Sequence, residues 1–244
     1  KDLTKITNIF FPKIINKQFK KIFSKGSLEG EFVIPFEIDG SIGKNYGFSG
    51  KILDATINIT KEFSIKNLTT EINHLKEIDG NGFIAVIKKG SIYNLELADS
   101  TIKLNRKKNN IKVESLLHTF GEFNFSQFKK VSFLLGFNTD KLKEVNGKAD
   151  LKTKINFHIN NKFKVKNLSY LTEGVVNHIE IHTEEKRIIR KYLPEYDPKI
   201  IIKDVNIKII NSKSNQKAEL EGLIKAKNDF DSIKIIESSN YDKK

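Results

Sequence analysis

Gly147-Lys-Ala-Asp-Leu-Lys-Thr-Lys-Ile-Asn-Phe-His-Ile-Asn160 alternates apolar and polar residues along nearly its whole length. Ala149, Leu151, Ile155, Phe157 and Ile159 share one parity. Lys148, Asp150, Lys152, Lys154, Asn156 and His158 share the other. Successive side chains of a strand point to opposite faces, so this stretch reads as one long strand with an apolar and a polar side. The odd residues from 149 to 159 are expected on the apolar face, with Lys148, Lys152 and Lys154 in water. A slip of one residue would reverse every assignment.

The stretch runs on to Phe163-Lys-Val-Lys-Asn-Leu-Ser169. Earlier, Gly50-Lys-Ile-Leu-Asp-Ala-Thr-Ile-Asn58 runs on to Phe63-Ser-Ile-Lys-Asn-Leu-Thr69. Both open on Gly-Lys and close on Phe-x-(Ile/Val)-Lys-Asn-Leu-(Ser/Thr). A repeat of about 100 residues points to a modular sheet that presents an apolar surface, not to a catalytic pocket.

Working outward, Ile15, Phe19, Ile22 and Phe23 fall on one face of a helix that follows Pro12 and ends near Gly26. Residues 1–26 are therefore expected to be a short amphipathic N-terminal helical segment, residues 27–237 a β-sheet region, and 238–244 a polar tail. Phe32, Ile34, Phe36 and Ile38 alternate with polar residues, and Pro35 suits an edge strand. Further strands are expected near 51–60, 63–72, 82–88, 91–98, 101–105, 111–117 and 130–138. Later ones follow near 163–171, 175–182, 200–211, 216–226 and 231–237. Asp79-Gly80-Asn81-Gly82, Lys89-Gly90-Ser91 and Arg106 to Asn110 read as turns. Thr183 to Tyr192 reads as a short helix capped by Thr183 and stopped at Pro194. Strands joined by short turns give an antiparallel meander, and no linker divides the chain.

The 244 residues contain neither Met nor Cys. The absence of Met and the start at Lys1 lead to the expectation that this is a piece of a longer chain. No disulfide or thiolate chemistry is possible, and no apolar run reaches the length of a membrane-spanning helix. The net charge of +13 favours anionic partners in general. Lys is scattered, though, and fits the wet side of many strands. Arg is scarce and aromatic residues do not interleave with it, which disfavours nucleic acid.

No phosphate loop, dinucleotide fingerprint or nucleophile elbow occurs. His178-Ile-Glu-Ile-His182 puts two imidazoles and a carboxylate on one face of a strand. Same-face neighbours there stand roughly 6.5–7 Å apart, too far for easy shared coordination, so a solvated polar face is the better reading. His74, His118 and His158 read as isolated surface or partly buried residues. An outer-membrane barrel would need aromatic girdles and even strand lengths, and neither is present. No enzyme, cofactor or metal site is expected.

The layout resembles a family. Phe11-Pro12 and a Lys-Gly step lead into Gly30-Glu-Phe-Val-Ile34. Gly47-Phe-Ser-Gly50 with its long strand follows, then Phe63-x-Ile-Lys-Asn-Leu68, Gly80-Asn-Gly-Phe83, Lys89-Gly90 and Leu95-x-Leu-Ala-Asp-Ser-Thr-Ile102. This order is similar to that of the AsmA-like proteins of Gram-negative bacteria, of the YhdP and TamB type, over about Pro12 to Ile181. The resemblance implies an elongated antiparallel sheet curled into a taco-like groove lined with apolar side chains. It implies a periplasmic protein, anchored in the inner membrane by a segment outside these residues, that carries phospholipid between inner and outer membranes. An outer-membrane partner is also implied.

The physics is compatible with such a role. An antiparallel sheet with one apolar face must cover or fill that face. Ten strands at roughly 4.8 Å spacing give a groove roughly 48 Å long, more than one lipid. Acyl burial would supply binding of about 0.8 kcal/mol per CH₂. The candidates for nonspecific contact with acyl chains are Ala55, Ile57, Ile59, Leu151, Ile155, Phe157, Ile159, Val205, Ile207 and Ile209. The alternative is a non-catalytic β-sandwich, a scaffold or surface interaction module whose apolar faces cover each other.

Overall fold

The computed structural model describes residues 23–34, 36–41, 47–58, 64–77, 80–93, 95–107, 110–134, 142–160, 164–183, 199–212, 215–226 and 229–240. Among the described residues there are eleven strands and one helix. The first six strands are β1 (Phe23–Val33), β2 (Gly47–Asn58), β3 (Ser64–Glu77), β4 (Gly80–Ile92), β5 (Leu95–Lys107) and β6 (Asn110–Phe123). The helix α1 (Phe125–Leu134) comes next. It is followed by β7 (Leu142–Asn160), β8 (Val165–Thr183), β9 (Lys199–Asn211), β10 (Asn215–Ala226) and β11 (Asp229–Asn240). The strands form a single sheet in sequence order, β1 to β11, and the sheet does not close on itself. The ladders from β1 to β5 and from β9 to β11 are antiparallel, as the short turns predict.

By its contacts the chain divides into two compact units. Unit 1 is Lys1–His118 with Thr153–Tyr170, and unit 2 is Thr119–Lys152 with Leu171–Lys244. Each has its own apolar cluster. In unit 1, Ile52, Ala55, Ile65, Leu68, Ile87, Ile92 and Leu97 are buried together. In unit 2 the buried set is Val145, Ala149, Val176, Ile179, Ile202 and Val205.

Five strands contain an Asp or Asn in the left-handed region: Asp54 (φ 49°), Asn67 (51°), Asp99 (47°), Asn167 (55°) and Asp204 (51°). These residue types tolerate that conformation better than other side chains. Each sits third in a common four-residue pattern: Ile52-Leu-Asp-Ala55, Ile65-Lys-Asn-Leu68, Leu97-Ala-Asp-Ser100, Val165-Lys-Asn-Leu168 and Ile202-Lys-Asp-Val205. The ladder register shifts at the pattern in β2, in β3 and opposite it in β10, marking bulges. A bulge inserts one residue, so the first and fourth residues of the pattern point the same way. Both are buried in the patterns starting at Ile52, Ile65, Leu97 and Ile202. In the fifth, Val165 and Leu168 are exposed. The Asn of the repeated Lys-Asn-Leu element is left-handed in both copies, and Asn67 lies in a bulge. Bulges bend strands and increase twist. Ile87 and Leu97 are 1 % exposed in the unit 1 cluster.

This backbone makes a specific prediction. Asn67→Gly keeps the left-handed conformation without cost and should leave stability within about 0.5 kcal/mol of the parent. Asn67→Val forces a β-branched residue to φ near 51° and should cost about 1–2 kcal/mol. Urea midpoints of the two variants check the difference.

Several expected elements differ. Phe23 to Gly26 belongs to β1, so the N-terminal helix does not reach Gly26; its residues before Phe23 lie outside the described residues. The strand expected at 130–138 is α1 over its described part. Asn124 caps it: Asn124 Oδ1 accepts from the Gln127 amide at 3.2 Å, and Gln127 Oε1 accepts from the Asn124 amide at 2.7 Å. That reciprocal pair is a capping box, and it outweighs the aromatic and β-branched content that follows. Lys89-Gly90-Ser91 lies inside β4, and the chain turns after Ile92 instead, with Tyr93 at φ 50°. The strands expected at 163–171 and 175–182 are one strand, β8. Thr183 is the last residue of β8, and the helix expected from Thr183 to Tyr192 lies otherwise outside the described residues.

Candidate functional site: one apolar face in each unit

Cross-strand register assembles the unit 1 face into rungs. Leu28, Ile52, Thr70, Ile87 and Ser100 are successive partners across β1 to β5. Ile57, Ile65, Ile92 and Leu95 form a second rung, and Ile72, Ala85 and Ile102 a third. The two polar members are satisfied within the sheet. Thr70 Oγ1 donates to the Val86 carbonyl at 3.0 Å. Ser100 Oγ donates to the Ala98 carbonyl and accepts from the His118 amide, both at 2.8 Å.

The third rung begins at the paired glycines Gly30 and Gly50. A Cβ on Gly50 would overlap the Glu29 carbonyl and come within 2.8 Å of the Phe48 ring; one on Gly30 would also meet that ring at 2.8 Å. Phe48 therefore lies across both glycines and supplies the apolar cover they lack.

The unit 2 face is built likewise. Ile207, Leu220 and Ile235 are partners across β9 to β11, and Ile202 pairs with Ile224. Phe125 and Phe128 of α1 pack on the buried cluster with Phe123, whose ring stacks on Phe128 at 6.4 Å.

The opposite faces carry charge. Glu71 takes Lys51 at 3.6 Å and Lys88 at 3.5 Å. In unit 2, Glu173 pairs with Lys208 at 2.8 Å and Glu221 with Lys234 at 3.6 Å. A shallow depression of about 350 Å³ lies among these unit 2 groups and Glu219. Three carboxylates, Glu173, Glu219 and Glu221, face two ammonium groups, Lys208 and Lys234, so the charge is mixed and marks no ligand of one sign. Exposed pairs of this kind add little stability each.

The candidate residues fall into three groups. Ala55 and Val205 are sealed in the packed clusters at 0 % and 1 % exposure. Ile57, Leu151, Ile155, Phe157, Ile159, Ile207 and Ile209 are half-buried, in reach of a ligand laid along the face. Ile59 lies outside the described residues. On β7, Ala149 is buried and Lys148, Lys152 and Lys154 are exposed, as the alternation predicts. Unit 1 holds Ala55, Ile57, Ile155, Phe157 and Ile159; unit 2 holds Leu151, Val205, Ile207 and Ile209. Ile65, Leu68, Ile72, Ile87 and Leu97 also build the face but were not among the candidates. For Ile65, Leu68, Ile72 and Leu97 the signal is the apolar-x-Asx-x pattern, which shifts the parity in mid-strand of β3 and β5.

At the suspected histidine cluster, Glu180 is engaged by Lys199 at 2.7 Å and lies 3.6 Å from His178 Nε2. The Lys199 hydrogen bond holds the Glu180 carboxyl below its ordinary value of 4.5. A depressed carboxylate stabilises the fold above the unfolded pKa, and that contribution fades as pH falls through the folded value. Glu180→Gln should therefore narrow the stability gap between pH 7 and pH 3, by less than about 1 kcal/mol for so exposed a pair. Urea denaturation at the two pH values measures it. The His182 side chain lies outside the described residues.

Compared with protein-family models, curated proteins and solved structures, the chain matches none.

Proposed function

We propose that the chain is a non-catalytic, lipid-carrying sheet whose apolar face holds phospholipid acyl chains, in the manner of the AsmA-like proteins it resembles. The observation that carries this reading is the set of apolar rungs continuing from strand to strand in an unclosed sheet, with half-buried Ile57, Ile72 and Ile102 left at the surface of the unit 1 cluster. An acyl chain asks only for continuous apolar contact, and such rungs provide it without a specific pocket. That the described strands belong to one sheet in sequence order supports an apolar face running on from strand to strand. On this reading the protein acts in the periplasm between the two membranes.

Site-directed photo-crosslinking tests the proposal. A photoreactive residue at Phe157 or Ile207 should capture phospholipid, and one at Lys152 or Lys208 should not. Equal capture from both faces, or none from either, would refute it.

A further inference from the structure

The connection between β6 and β7 is longer than their positions in the sheet require. Strands β3, β4, β5 and β6 follow one another through two-residue turns. β6 and β7 are also neighbours, yet residues 124–141 lie between them and fold in part as α1. The helix has its own start signal in the Asn124–Gln127 capping box, and the Phe128 amide donates to the Asn124 carbonyl at 2.9 Å. Its side chains sort by face. Ser126, Lys129 and Lys130 are exposed. Phe125 and Phe128, three residues apart, pack on the apolar cluster of unit 2. Leu151 and Ile207, two of the lipid-contact candidates, pack on that same cluster. α1 therefore covers apolar surface beside the residues that an acyl chain would touch. Among the described residues no helix packs on the unit 1 cluster.

The hold on α1 is slight. Phe125 and Phe128 are each only half-buried, and Phe128 is further steadied by the Phe123 ring at 6.4 Å. A helix of ten residues is marginal in water and depends on its packed face. We propose that α1 is a lid on the unit 2 lipid face: it occupies apolar surface that an acyl chain takes over when the helix lifts, so helix and lipid exclude one another there. This rests on the lipid-carrying reading above. Phe125 and Phe128 offer the cluster apolar area without directional bonds, and an acyl chain offers the same, so one can replace the other. A lipid that binds only the open form is weakened by the fraction of molecules that are open. Unit 1, with no described helix on its cluster, would take lipid without that loss.

Hydrogen exchange of the parent protein, with and without phosphatidylethanolamine vesicles, reads the lid directly. The α1 amides from Phe128 to Leu134 should exchange about fivefold faster or more once lipid is taken up. Amides that stay unchanged or slow down, while a photoreactive residue at Ile207 captures lipid, make α1 a fixed wall; that overturns the lid and leaves the lipid face standing. Phe128→Ala loosens the lid and should raise lipid capture from Ile207 by up to about tenfold, with capture from Phe157 in unit 1 unchanged. A folded Phe128→Ala protein whose capture from Ile207 holds or falls also overturns the lid. If that variant misfolds, the exchange of the parent protein decides alone. Parent protein that captures no lipid from either Ile207 or Phe157 overturns the lipid reading and the lid with it.

Discussion

Ile87→Asp is expected to unfold unit 1. Ile87 sits in the central rung, between Thr70 and Ser100, at 1 % exposure. The substitution removes an apolar side chain from a packed cluster and puts a carboxylate there with no cation to meet it. Either the carboxyl is protonated at a cost or the cluster opens. Burial of an unpaired charge belongs to the few mechanisms that exceed about 4 kcal/mol, a large part of the stability of any domain. Lys89→Asp, two residues along the same strand and exposed, should stay within about 0.5 kcal/mol. Thermal denaturation followed by far-ultraviolet circular dichroism separates the two. Equal melting of both variants would show that the face around Ile87 is not packed.

Phe157→Glu is expected to keep the fold and lose the ligand. Phe157 is half-buried near the end of β7, so a glutamate there can reach water and spare the cluster. A chain passing that point would meet a charge in place of a ring. Lipid crosslinking from the neighbouring position Ile155 should fall by about tenfold or more. Lys154→Glu, on the wet face of the same strand, should leave it unchanged. The circular dichroism spectrum of each variant must match the parent before the comparison counts. A folded Phe157→Glu protein that still crosslinks fully would remove Phe157 from the lipid path.

Where a strand is regular, its sequence is enough to assign its faces. From Ala149 to Asn156 the burial alternates with the parity, odd residues less exposed than even ones. The same reasoning stops at Asp54, Asn67, Asp99 and Asp204. There the backbone takes one residue into the left-handed region and the apolar phase changes from odd to even or back. Strict alternation therefore finds Ala55 and Ile57 but passes over Ile52, and finds Val205 and Ile207 but passes over Ile202. A turn reading fails at Lys89-Gly90-Ser91 for a related reason: Gly90 pairs with Leu97 inside the ladder, where Gly was read as punctuation. The helix α1 was hidden because its cap at Asn124 and Gln127 precedes the aromatic run that suggested a strand.

The most direct test of the central claim is native mass spectrometry of protein purified without detergent from cells that have a lipid-bearing envelope. The account predicts parent protein carrying adducts of phospholipid mass, and folded Phe157→Glu protein carrying fewer. Folded parent protein that carries no lipid, and acquires none when mixed with phosphatidylethanolamine vesicles, would contradict it.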